Sequence, residues 1–128
     1  MATKDPISEA KRYVENARTI LREKAVKEDD LYSDRKYVKL AGHAAYTGVL
    51  LALDGLFGIK SKGRKDINWY RDQVARTDKK LLTNFMSAYE LLHLSMSYDG
   101  NREVSTAQSG LKRADEIIHW VEQRTTTC

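Results

Sequence analysis

Apolar positions along this chain recur every three or four residues, the period of helices that each bury one face. Ile7, Ala10, Val14, Ala17 and Leu21 draw the first such stripe. Asp5 supplies an N-cap before it, Pro6 suits the first helical position, and Glu9 complements the positive end of the helix dipole. The pattern fades by Lys27 and leaves through the acidic turn Glu28-Asp29-Asp30, which predicts a helix over residues 6–26.

A second helix is predicted over residues 33–57, with Gly58 as its stop. Ala41, Ala45, Gly48, Ala52 and Gly55 form a seam of small residues that lets a neighbouring backbone come close. Val38, Leu40, Val49, Leu51, Leu53, Leu56 and Phe57 cover much of the remaining circumference, so this helix belongs in the middle of the fold.

Asp66 caps a third helix over residues 66–98, whose stripe runs Ile67, Tyr70, Val74, Leu81, Phe85, Ala88 and Leu92. A restart at Thr77 or Asp78 also fits, but the unbroken stripe favours a continuous or slightly kinked helix. Tyr98-Asp99-Gly100-Asn101 ends it. Ser105 with Gln108 reads as a capping box for a last helix over residues 105–123, with Ala107, Leu111, Ala114, Ile118 and Val121 inward. No strand-like alternation interrupts these patterns. The expected fold is all-α, an antiparallel four-helix bundle forming one domain over residues 1–128.

Composition supports that picture, with 41% hydrophobic and 31% charged residues in 128, enough for one buried core. No apolar run has the roughly 20 residues of a membrane helix, and no signal-peptide core follows Met1, so no membrane contact and a cytoplasmic location are expected. The single Cys128 has no intrachain partner, in keeping with a reducing compartment. The net charge of +4 is uneven: residues 58–80 carry eight cationic and three acidic side chains.

Candidate chemistry is sparse. Glu90 with His93 and Glu116 with His119 repeat the Glu-x-x-His spacing of di-iron bundles. On helical wheels, however, both pairs turn away from the apolar stripes, and no metal site or cofactor is expected. Arg113 and His119 have the separation of some helical ribonucleases, but in a continuous helix they diverge. No phosphate loop, dinucleotide fingerprint or nucleophile elbow is present, so no catalytic residue is assigned and enzymatic activity is not the expectation.

Two sets of residues remain. Lys60, Lys62, Arg64 and Lys65, with Trp69 within reach, form a basic loop ahead of a helix N-terminus, an arrangement suited to phosphates and stacked bases. Met86, Leu91, Leu94 and Tyr98 lie off the core stripe of the third helix and make a candidate self-association face, for which a twofold dimer is the commonest arrangement.

The segment Lys36-Tyr37-Val38-Lys39-Leu40-Ala41-Gly42-His43-Ala44-Ala45-Tyr46 resembles the Ala- and Tyr-containing helix of HEPN-like bacterial bundles. The run Leu92 to Asn101, followed by an amphipathic helix, strengthens the likeness. Gly-Arg-Lys at 63–65 and the Tyr-Asp-Gly-Asn turn resemble a small bacterial helical family known as a domain of unknown function. These resemblances imply a helical bundle, often dimeric, of the toxin–antitoxin or nucleotidyltransferase-partner type. Two functional expectations follow: a self-associating or partner-binding module, or a HEPN-like protein that binds nucleic acid or nucleotide through the basic loop.

Overall fold

The computed structural model describes residues 5–58 and 65–125. Among them are five α-helices: α1 (Pro6–Ile20), α2 (Arg35–Phe57), α3 (Ile67–Thr77), α4 (Lys79–Ala88) and α5 (Val104–Thr125). Two π-helical segments, Leu21–Ala25 and Tyr89–Tyr98, continue α1 and α4. A two-stranded antiparallel hairpin, β1 (Lys27–Glu28) and β2 (Leu31–Tyr32), joins α1 to α2.

The all-α class holds, but the count of four helices does not. Asp78 breaks the expected third helix into α3 and α4, because it adopts an extended backbone (φ −167°, ψ 135°). Its N–H still closes α3 on the Val74 carbonyl at 3.1 Å, while its carboxylate accepts from the Leu81 N–H at 2.9 Å. An aspartate that caps the next helix recovers most of what the break costs. The hairpin is a second departure, since strands of two residues are too short to show alternation. It is closed by Asp29 in the left-handed region (φ 56°), and Val26 before it is held at φ 55°, a strained position for a β-branched residue. A third concerns the start of α5. The helix begins at Val104, so Ser105 lies inside it, and the Glu103 N–H bonds to the Asn101 side chain at 2.9 Å.

As its composition requires, α2 is the central element, packed against α1, the Tyr89–Tyr98 segment and α5. By length and composition alone this helix of 23 residues, with an 18-residue window of mean hydropathy 1.3, would also suffice to cross a membrane; its buried face packs against these three neighbours. The small-residue seam meets α1. A Cβ added to Gly48 would lie 2.8 Å from the Ala10 carbonyl oxygen. A second close approach, on the other flank, falls at Gly42: an added Cβ there would lie 2.6 Å from Met96 Cβ and 2.7 Å from the Leu92 carbonyl oxygen. Leu53, Leu81, Phe85, Leu92, Met96 and Ile117 fill the space between these helices.

The contacts at Gly42 and at Gly110 of α5 differ in kind. An added Cβ at Gly110 meets first the tip of the Leu92 side chain, Cδ2 at 2.7 Å, which can rotate. At Gly42 it meets backbone. Gly42→Ala is therefore expected to lower stability by about 1–3 kcal/mol through overpacking. For Gly110→Ala the helix-propensity gain of about 1 kcal/mol offsets the adjustment, leaving it near neutral. Thermal and urea unfolding of the two variants check this; equal losses would mean that the α2 seam is not the tighter contact.

Candidate functional site

The seam at Gly42 brings the outer edge of α2 against the Tyr89–Tyr98 segment. The wide turns of that segment are seen where the Asp99 N–H reaches back five residues to the Leu94 carbonyl at 2.9 Å. Ala88, Leu92 and Met96, every fourth residue, are fully buried. One position on from Ala88 and Leu92, Tyr89 and His93 stand half-buried against Tyr46 of α2, with ring centroids 6.1 and 4.9 Å from the Tyr46 ring and 5.3 Å from each other. Two tyrosines and a histidine thus stack across the seam.

On the opposite side of the segment, Glu90, Leu94 and Tyr98 form an exposed row, again at every fourth residue. Leu94 is 36% exposed and Tyr98 76%, the most open large apolar side chain among the described residues. The other members of the candidate association face lie elsewhere: Met86 is partly buried against the core, and Leu91 turns toward α5, its Cβ beside Gly110. At the Tyr98 end of the row, Gly100 lies against the stems of Arg35 and Lys39, the latter's Cε 2.9 Å from where a Cβ would stand. The row is acidic at Glu90, apolar in the middle and flanked by cations at its far end.

Of the basic set, Lys60, Lys62 and Arg64 lie outside the described residues. Lys65 sits over the Trp69 ring at 5.8 Å. That ring is also engaged edge-on by Phe57 at 6.0 Å and Tyr70 at 5.1 Å, and the backbone N–H of Trp69 donates to the Asp66 carboxylate at 2.9 Å. The N-terminus of α3 is therefore already capped, and Trp69 works as packing between α2 and α3. Beside it, the Tyr70 hydroxyl donates to Asp54 at 2.7 Å, a pair that ties α3 to the last turns of α2. Burial pushes the Asp54 carboxyl above its usual range, while the Tyr70 hydrogen bond and Lys65 pull the other way.

The two Glu-x-x-His pairs do not meet. Glu116 takes a hydrogen bond from Arg113 at 3.2 Å, and Arg113 also reaches Asn84 of α4 at 2.8 Å. His119 faces α1, in a groove with Lys11, Glu15 and Glu122 where Lys11 pairs with Glu122 at 2.7 Å and Arg18 pairs with Asp115. Arg113 and His119 thus lie on different faces of a continuous α5. Among the described residues no three His, Cys, Asp or Glu side chains gather closely enough to hold a metal ion.

Residues 5–123, nearly the whole chain, match the family described as a domain of unknown function, DUF5618. The chain belongs to that family. No curated protein matches it. A solved structure, a protein of unknown function from Dyadobacter fermentans, is similar to it at 53% identity, with a TM-score of 0.89 over 97% of this chain and 99% of that one. The DUF5618 fold described above is thus shared with that protein across its length. Sequence reasoning missed the Tyr46–Tyr89–His93 stack, since only the close approach at Gly42 brings the three rings together.

The Asp54–Tyr70 pair generates a pH dependence. A carboxyl whose folded pKa is raised holds its proton more tightly in the folded state, so its contribution to stability is present at low pH and is lost as pH rises through that pKa. Asp54→Asn keeps an acceptor for Tyr70 without the charge. The melting temperature of Asp54→Asn relative to the unmodified chain is expected to rise from about pH 4 to pH 7. Tyr70→Phe is expected to cost about 1 kcal/mol. A flat difference across that range would show that Asp54 is not penalised by burial.

Proposed function

We propose that this chain is a non-catalytic helical module that pairs with a second copy of itself through the Glu90–Leu94–Tyr98 row. The observation that carries the reading is the open pair Leu94 and Tyr98, on successive turns of one helical segment. The other open apolar side chains, Leu40 on α2 and Val26 and Leu31 by the hairpin, do not stack along one helix in this way. Charge supports a second copy as the occupant. A twofold axis across the middle of the row sets Glu90 of one copy beside Arg35 and Lys39 of the other, twice over, and these two cations outnumber the exposed Asp99 at that end. The resemblance to HEPN-like bundles, many of them dimeric, agrees with it. The alternative, nucleotide or nucleic-acid binding at the basic loop, draws less support, because Asp66 and the rings around Trp69 already occupy the described part of that site.

The test is the mass in solution. Sedimentation velocity or light scattering after size exclusion is expected to give twice the 14.7 kDa of the chain at micromolar concentration. Leu94→Glu with Tyr98→Glu should return a monomer with unchanged circular dichroism, and Glu90→Lys should raise the dissociation constant about tenfold or more. A monomer for the unmodified chain, or a dimer indifferent to all three substitutions, overturns the proposal.

A further inference from the structure

The end of α1, the hairpin and the start of α5 enclose a groove of about 250 Å³. Leu21, Val104 and Leu111 make an apolar floor, and Arg18, Arg22 and Lys27 stand around it with no acidic residue in the lining. Lys27 is directly opposite Tyr32 in the hairpin register, so the two side chains rise from the same face. Lys27 makes no ion pair among the described residues. The Arg22 contacts to Glu23 and Thr19, both at 3.5 Å, are at the limit of a hydrogen bond. Arg18 pairs with Asp115 yet keeps further N–H donors, because a guanidinium has five.

Tyr32 is the unusual member. The residue is 8% exposed, but its hydroxyl has no hydrogen-bond partner among the described residues and is not a fully enclosed atom, so it opens on the groove. Burial pushes the phenol up from its ordinary value. A hydroxyl that opens on the groove is left to solvent or to a bound acceptor. Here it stands among three cations.

From this we infer that the groove is a binding site for a small carboxylate with a compact apolar body, the carboxylate taking the Tyr32 hydroxyl, Lys27 and Arg22 and the body resting on Leu21, Val104 and Leu111. The volume falls below the roughly 300–1,000 Å³ of sites for drug-sized ligands, so the ligand is fragment-sized. Charge alone would accept inorganic anions equally; the apolar floor is what selects for the body. The site is separate from the proposed dimer row, and either can fail without the other.

Phenylacetate is the probe, titrated into the full chain and followed by amide chemical shifts. Saturable shifts are expected at Lys27, Tyr32, Gln108 and Leu111. Acetate, which lacks the body, and benzylamine, which reverses the charge, should bind at least tenfold more weakly. Tyr32→Phe should raise the dissociation constant about tenfold, the loss of one hydrogen bond to a charged group. Lys27→Glu with Arg22→Glu, both surface changes, should abolish saturation with the spectrum otherwise intact, and this pair decides the matter if Tyr32→Phe disturbs the fold. The inference is overturned if phenylacetate gives no saturable shift at these residues, if acetate or benzylamine binds as well, or if the double charge reversal leaves binding unchanged.

Discussion

The backbone of α2 comes within side-chain-free distance of its neighbours on two flanks, at Gly48 against α1 and at Gly42 against the Tyr89–Tyr98 segment. Helices packed through ordinary side chains lie 8–10 Å apart; glycine at the crossing removes the spacer. Much else follows from that constraint. The close approach lets Leu92 and Met96 sink fully into the core. It sets Tyr46 beside Tyr89 and His93, and it turns Glu90, Leu94 and Tyr98 outward. A bulkier residue at position 42 would move the whole segment away and with it both the ring stack and the exposed row.

Stability is drawn almost wholly from apolar packing. Among the described residues no charged side chain is buried, and no enclosed polar side-chain atom lacks a partner. Two ion pairs, Lys11–Glu122 and Arg18–Asp115, lie at the rim between α1 and α5, where each contributes at most about 1 kcal/mol. Their worth lies in orientation: they fix how α5 rests on α1 and, through Arg18, they hold one wall of the hairpin groove. Polar side chains among the described residues are confined to the edges of the fold.

Helical periodicity made most of the fold legible. The stripes through Val14, Ala45, Phe85 and Ala114 all face the core, and the all-round apolarity of α2 placed it at the centre. What stayed hidden depended on local geometry that periodicity does not encode. Asp78 fits the wheel of an unbroken helix and equally well an N-cap; only its extended backbone distinguishes them. Gly42 sits beside the predicted seam of α2 and Gly110 beside the stripe of α5, and nothing in their spacing marks them as points where helices touch. Met86 on α4 and Leu91 lie off the stripe yet are drawn in, Leu91 within the Tyr89–Tyr98 segment, which turns more slowly than an α-helix. The groove around Tyr32 was illegible altogether, for its lining comes from three separate stretches of chain.

The hairpin has a consequence for how the chain is made. Its outer edge is completed from a distance: the Tyr32 N–H donates to the Arg102 carbonyl at 2.8 Å, and the Val104 N–H to the Asp30 carbonyl at 2.9 Å. During synthesis α1 and α2 can zip together early, since their contacts are short in sequence. The strand edge and the strained turn at Val26 must then wait, unpaired, for residues some seventy positions later. The nascent chain therefore carries an open edge until the residues around Arg102 and Val104 emerge, and closing it ties the hairpin to the start of the last helix.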